Sequence, residues 1–303
     1  MTDQTTPNRM NSEDKVLTTE TSLGRYADLD TWPLSRSLAA LVENNAGAVR
    51  AVQGALPELE RAAGGIERAL AAGGRLIYLG AGTSGRLALQ DAAELPPTFG
   101  FERALTLLAG GERADERAVE GAEDDEDEAQ ERLERLGLTP DDAVVGVAAS
   151  GSTPYTVAGT RFARARGAFT VGIANNAHTP LLAAAEVGVL LETPPEVLAG
   201  STRLAAGTAQ KVALNALSTA VLVRLGGAYG NLMVGMRPQN VKLQGRAARM
   251  VGQATGCTPD EAAAALAAAG GVREAVVMLL TGVSAAEAGE RLRASGGRVR
   301  EAL

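Results

Sequence analysis

Cysteine and histidine each occur once in this chain of 303 residues, as Cys257 and His178. One cysteine excludes an intrachain disulfide and a thiolate metal cluster. One histidine argues against a histidine-rich metal site and against a Ser-His-Asp triad, so no metal is expected. His178 stands in the polar stretch NNAHTP and reads as a surface loop residue. Aromatic residues make up only 3%, so alanine carries much of the 46% hydrophobic content and the helices should pack closely. Basic residues are in deficit, 29 Lys+Arg against 36 Asp+Glu, and there is no basic stripe. That speaks against a nucleic-acid partner. With a net charge of −7, an anionic ligand must be held by local groups, because the overall field repels it. No uninterrupted apolar run reaches membrane-spanning length. The start, MTDQTTPNRMNSEDK, lacks the apolar core of a signal peptide. No membrane partner is expected, and the compartment is read as cytoplasm.

What is present is an alternation. Residues 1–20 are polar and aperiodic and read as a disordered arm. Helical patterns cover 33–47 and 48–72, the second stopped by Gly73-Gly74. Strand-like runs at 76–79, 104–108, 143–147, 170–174 and 187–191 then alternate with helical stretches near 84–94, 112–136, 154–167 and 179–185. Strands apolar on both faces and separated by helices imply an α/β fold, with a parallel five-stranded sheet covered on both sides. Ligands in such sheets bind beyond the carboxyl ends of the strands. Three of those ends, GAGTSG, AASGST and ANN, carry glycine with hydroxyl or amide groups and should converge. A long alanine-rich helix over 202–225 has more apolar surface than one sheet face needs, and is expected to help build a homodimer. A further helix is expected after Pro238. From 257 on, Thr258 with Glu261 and Ser284 with Glu287 have capping-box spacing. Residues 21–256 are thus read as the main domain and 257–303 as a small subdomain of three short helices. The acidic run EDDEDE at 123–128 reads mostly as a solvated face.

The most informative stretch is LIYLGAGTSGR, where Gly80, Gly82 and Gly85 follow a strand with dinucleotide-binding spacing. That site also needs a ribose-binding acid at the end of the second strand. Ala109, Gly110 and Gly111 stand there instead, and Glu112 comes two glycines late. No nucleotide cofactor is expected. The hydroxyls give a better account. Thr83 and Ser84 stand at a helix N-terminus, where backbone N–H groups and the helix dipole favour an anion. Ser150, Ser152 and Thr153 form a second cluster after the third strand. Two such turns facing one crevice suit a phosphate monoester on a polyol, whereas either turn alone reads equally well as an N-cap.

GAGTSGR followed by ASGSTPY resembles the SIS phosphosugar-binding fold, a flavodoxin-like αβα sandwich. The further run DAAELPPTFG, AGG, AVEGAEDD, GSTRLAAGTAQK, LNALST, YGNLMV and NVKL resembles the N-acetylmuramic acid 6-phosphate etherase family, relatives of the glucokinase regulatory protein. The resemblance implies cleavage of a lactyl ether to N-acetylglucosamine 6-phosphate and D-lactate, in cell-wall sugar recycling. It also implies no metal or nucleotide, and a homodimer with the substrate site near the subunit contact. Its catalytic glutamates fall on Glu94, in DAAE ahead of Pro96-Pro97, and on Glu123, in EGAED. Placement at a helix end beside the phosphate loop suggests Glu94 as the acid, and Glu123 then as the base. Gly82, Thr83, Ser84, Arg86, Ser150, Ser152, Thr153 and Arg203 are the expected substrate-binding residues. The chain departs from the family where Ser152 replaces an arginine, Ala205 a lysine and Gly235 an aspartate; Arg86, Arg203 and Lys211 remain as cations. A non-catalytic phosphosugar sensor and a phosphosugar isomerase are the alternatives.

Overall fold

The computed structural model describes residues 17–114, 119, 121–236 and 241–303. Five strands, β1 (Leu76–Gly80), β2 (Ala104–Leu108), β3 (Ala143–Val147), β4 (Phe169–Ala174) and β5 (Val187–Leu190), form one parallel sheet in the order 2-1-3-4-5. β1 lies between β2 and β3, with Gly80 level with Leu108 on one side and Val147 on the other. Central β1 and β3 are buried along their whole length, whereas the edge strands β2 and β5 are partly exposed. That is why the central runs are continuously apolar. Helices α1 (Leu34–Gly54), α2 (Leu56–Ala71), α3 (Gly82–Phe99) and α7 (Ala205–Leu222) share one hydrophobic core on one face of the sheet. Helices α4 (Glu126–Arg135), α5 (Pro154–Ala165) and α6 (Pro180–Ala184) cover the other.

Several boundaries differ from the sequence reading, each for a local reason. The first two helices part at Ala55, not at Gly47, because Pro57 in the first turn of α2 has no N–H to extend α1. Gly47 lies inside α1, where a Cβ would come 2.8 Å from the Pro194 ring. It serves close packing rather than a turn. Residues 1–16 of the expected arm lie outside the described residues, but its last residues are packed. Thr18–Glu20 form a 3-10 turn, and buried Thr19 exchanges hydrogen bonds with the Asn176 amide. The long helix α7 is not a free face. It packs against α1, α2 and α3 and is buried along most of its length. The unpartnered apolar stripe lies instead on α1, where Leu34, Leu38, Val42 and Val49 are exposed.

The C-terminal unit has its own hydrophobic core. It begins earlier than residue 257, because Val234, Met236, Ala247 and Val251 belong to that core. The unit holds the hairpin β6 (Ala228–Tyr229) and β7 (Leu232–Met233), α8 (Val241–Thr255), α9 (Pro259–Ala269), α10 (Val272–Thr281), α11 (Ala285–Ala294) and α12 (Val299–Ala302). Thr258 and Glu261 make a complete capping box. Ser284 makes half of one, since the Glu287 carboxylate turns to Arg291 at 2.7 Å. Among the described residues no single helix is long and apolar enough to cross a membrane.

The amino ends of β1 and β3 are held together by Asp142, which is 1% exposed. Its carboxylate accepts from the Arg75 side chain at 2.6 and 3.0 Å, and from the N–H groups of Arg75 and Thr139 at 2.8 Å. Burial alone would push this carboxyl up, but the hydrogen bonds outweigh it and hold it at about 2. A folded value below the unfolded one stabilises the fold above about pH 4, and the gain is lost as pH falls through the folded value. Asp142→Asn is therefore expected to lose about 2 kcal/mol at pH 7 and progressively less between about pH 4 and 2. Urea melts at three pH values check this; a deficit independent of pH would contradict it.

Candidate active site

In a 2-1-3-4-5 sheet the chain leaves β1 towards β2 and returns on the other side as β3, which opens a crevice at the carboxyl ends of β1 and β3. Both hydroxyl-rich turns stand at this crevice. After β1, Ala81 is extended and Gly82 takes φ +53°, which starts α3 at once. The outer glycines of the motif close the turn: a Cβ on Gly85 would meet the Gly80 carbonyl carbon and oxygen at 2.8 Å. Strand end and helix start are thereby in backbone contact, which only glycine allows. Thr83 is half-buried and Ser84 buried in the first turn, and no side chain caps the helix.

The turn after β3 is built on the same plan. Gly151 has φ +73° and lies where any Cβ would strike the Thr179 side chain. Ser152 donates its N–H to Ser150 Oγ at 3.2 Å. Thr153 precedes α5, with Pro154 in the first turn, and again no side chain caps the helix. Ser150 and Thr153 are half-buried and Ser152 is exposed.

A third helix start lies close by. A Cβ on Gly207 would sit 3.6 Å from the Thr83 methyl, so the first turn of α7 packs beside α3. This N-terminus, however, is already occupied. The Glu196 carboxylate, 1% exposed, accepts from the N–H groups of Ala205 and Ala206 at 2.9 Å each. Burial pushes the Glu196 carboxyl up, and the two backbone donors pull it partly back. Of the three starts α3, α5 and α7, only α7 is thus filled by a side chain, which leaves α3 and α5 open to an external anion. Glu196 escaped the sequence reading because it stands nine residues before its helix partner, outside any local capping pattern.

The ANN segment converges on the AASGST turn as expected, but its amides are bound within the protein. Asn175 donates to the Leu191 carbonyl at 3.1 Å and accepts from Gln210 at 2.9 Å. Asn176 donates to Thr19 Oγ1 and to the Ala149 and Ser150 carbonyls. Both amides are spent holding the neighbouring turns. Arg86 is spent similarly, donating to the Ala114 carbonyl at 3.0 Å. Arg203 and Lys211 are exposed. Gly235 leaves room for the Arg273 guanidinium, which donates to the Phe99 carbonyl at the end of α3.

The two glutamates occupy different places. Glu123 is exposed on a 3-10 turn, Ala122–Asp124, that returns to the end of β2: the Ala122 methyl lies 3.2 Å from where a Gly110 Cβ would be. It shares the sheet edge with the α3 turn. The acidic run is more than solvated surface, since Asp125 caps α4 through the Glu128 N–H at 2.9 Å. Arg132 anchors that helix to the Leu108 carbonyl at 2.6 Å and to Tyr155 Oη at 3.3 Å. Burial pushes the Tyr155 phenol up to about 12, keeping it a protonated partner. Glu94 is exposed too, but it does not close α3. The helix runs through Pro96 and Pro97 to Phe99 and ends at Gly100, φ +65°. Having no N–H, the prolines leave the Ala92 and Ala93 carbonyls without their usual i+4 donors in the helix. Glu94 therefore stands twelve residues past Gly82, about 18 Å along the axis, and not beside the loop as the sequence suggested.

Open helix starts lined with hydroxyls, at the crevice of a parallel 2-1-3-4-5 sheet, define a protein of the SIS class. The glucokinase regulatory protein N-terminal SIS domain matches residues 60–164, and the SIS domain matches residues 125–220. N-acetylmuramic acid 6-phosphate etherase of Deinococcus radiodurans is 54% identical over 281 residues, covering 92% of both chains. The Mycolicibacterium smegmatis protein of that name is 48% identical, covering 95% of this chain and 98% of its own. Among solved structures, phosphoheptose isomerase GmhA of Neisseria gonorrhoeae aligns at TM-score 0.46 and 19% identity, covering 62% of this chain and 98% of its own. The chain belongs to the N-acetylmuramic acid 6-phosphate etherase family.

Because a ligand that binds only the folded state stabilises it, a sugar 6-phosphate a hundredfold above its Kd should add about 2.7 kcal/mol and raise Tm. Thr83→Val with Ser84→Ala should abolish the rise, and NAD should produce none. A rise that survives the double substitution would place the anion elsewhere.

Proposed function

We propose that this chain cleaves the D-lactyl ether of N-acetylmuramic acid 6-phosphate, giving N-acetylglucosamine 6-phosphate and D-lactate, in cytoplasmic recycling of cell-wall amino sugars. The supporting observation is the pair of uncapped, hydroxyl-lined helix starts, in a chain 54% identical to a relative named for that activity. An alkyl ether resists direct hydrolysis because an alkoxide leaves poorly. In the open-chain sugar the aldehyde acidifies the neighbouring C–H, and the lactyl oxygen sits one carbon further on. A base takes that proton, the C–O bond breaks with protonation of the departing oxygen, and water adds across the resulting alkene. Such a route needs a base, an acid and donors for the developing enolate. It uses no metal and no nucleotide. The phosphate is held by the first-turn N–H groups of α3 and α5, with Thr83, Ser84, Ser150, Ser152 and Thr153. Gly82 gives the backbone its approach, and the exposed Arg203, just ahead of α7, is the cation offered from that side.

Glu123 acts as the base, from the same edge as the cradle. Glu94 acts as the acid, and the span along α3 is more than one hexose phosphate bridges. Glu94 therefore serves the cradle of a second copy, in a homodimer that buries the Leu34, Leu38, Val42 and Val49 stripe of α1. The glucokinase regulatory domain match favours a second reading, a phosphosugar sensor without chemistry; phosphosugar binding with no lactate release would select it.

Purified protein should release lactate from the muramic acid phosphate. In heavy water the sugar product should carry deuterium beside the aldehyde, and its new hydroxyl oxygen should come from solvent. Glu123→Gln should lose the proton exchange, and Glu94→Gln should lose lactate release while still exchanging, each by roughly 10²–10⁴-fold. The reverse pattern exchanges the roles. For assembly, sedimentation should give twice the 31.0 kDa chain mass, and Val42→Glu should shift it to monomer. Mixing Glu94→Gln with the Thr83→Val, Ser84→Ala protein should restore about a quarter of wild-type activity, because a two-fold heterodimer then holds one intact site. No restoration would put Glu94 and the cradle in the same chain.

A further inference from the structure

Asp91 and Glu94 stand one helical turn apart on α3, yet Glu94 is exposed and Asp91 is 3% exposed. The Asp91 carboxylate accepts from Tyr78 Oη at 2.6 Å through one oxygen. The other oxygen accepts from Asn215 Nδ2 at 2.6 Å and Ser218 Oγ at 3.1 Å. Tyr78 lies on β1, and Asn215 and Ser218 lie one turn apart on α7. One side chain thus ties α3 to the sheet and to the central helix of its layer. All three partners are neutral donors. Burial, then the Asp91 charge, hold the Tyr78 phenol well above its ordinary range, so it remains a donor.

A buried carboxylate held this way is weak as a source of stability, since an apolar residue of equal size often does as well. What a saturated buried network supplies is one allowed geometry. α3 needs such a device. Beside Asp91 the buried positions Ala88 and Ala92 offer only methyl groups; Leu95, one turn on, adds apolar bulk, but apolar contacts do not set a directed geometry as hydrogen bonds do. The phosphate cradle has its own anchor in the Gly80–Gly85 contact and lies about 13 Å from Asp91 along the axis. Glu94 is the functional candidate nearest the pin.

We propose that Asp91 is a positioning residue for Glu94: by binding Tyr78, Asn215 and Ser218 it fixes the rotation and height of the helical turn from which Glu94 projects. The inference rests on Glu94 as the acid of the ether cleavage.

The experiment is lactate-release kinetics on Asp91→Ala, Asp91→Asn and Asn215→Ala, at a temperature where circular dichroism shows each folded. Asp91→Ala should lower kcat about tenfold with KM changed by less than about twofold, the pattern of an interaction lost in the transition state alone. Inorganic phosphate should still raise its Tm as in the wild type. Asp91→Asn, which keeps an oxygen towards Asn215 and Ser218, should recover to within about threefold of wild-type kcat. Asn215→Ala should fall between them, and it decides the matter if Asp91→Ala does not fold. A lowered Tm with unchanged kcat in the folded variants marks a merely structural role and overturns the proposal, as does a raised KM with kcat intact. Wild-type protein that releases no lactate refutes the functional reading, and this inference with it, in a separate measurement.

Discussion

A backbone N–H withdrawn from water must find an acceptor, and the site follows from how that demand is met along one sheet edge. At α7 the chain meets it internally, because Glu196 caps Ala205 and Ala206. At α3 and α5 no side chain does so. The α3 and α5 starts are neighbours because β1 and β3 are neighbours, and they face the same crevice. A chain of net charge −7 without a basic stripe can still attract a phosphate there, since helix ends and hydroxyls act over one turn and not over the whole surface. Ala205 is fully buried, and its N–H already belongs to Glu196.

What the sequence made legible was local. Five apolar runs became five strands within a residue or so, because a central parallel strand must be apolar on both faces. GAGTSG and AASGST were readable because glycine and hydroxyls cluster where a helix starts. Thr258 and Glu261 formed their box because its partners are three residues apart. Non-local roles were hidden. Glu196 caps across nine residues, and Asp91 bonds partners 13, 124 and 127 residues away. No periodicity distinguishes that aspartate from a surface one. The break expected after Gly47 falls at Ala55 instead, because Pro57, which the sequence reading passed over, lacks a donor while a helical glycine is merely tolerated. The second asparagine of ANN meets the AASGST turn as expected, but it also exchanges hydrogen bonds with Thr19, from a segment read as loose. The apolar surplus was assigned to α7 when it belonged to α1, because composition shows that a helix is apolar but not what already covers it.

α3 is best understood as a ruler. Its first turn belongs to the cradle, fixed by backbone contact between Gly80 and Gly85. Its middle is pinned by Asp91, and its end is closed by Gly100 and met by Arg273. An 18-residue helix held at three points has little freedom left, so the distance from cradle to Glu94 is a fixed property of the chain. Glu123 escapes this constraint, because it rides on the loop after β2 and returns to the cradle's own edge. If both carboxylates act on one small substrate, a fixed ruler within one protomer leaves only one arrangement. On the proposed mechanism the end of α3 then reaches the substrate from another copy, with the exposed apolar stripe on α1 as a surface for it to pack against. The charge distribution fits the same arrangement. Within one chain Glu94 and Glu123 are kept apart, so neither adds to the other's repulsion of an anionic ligand.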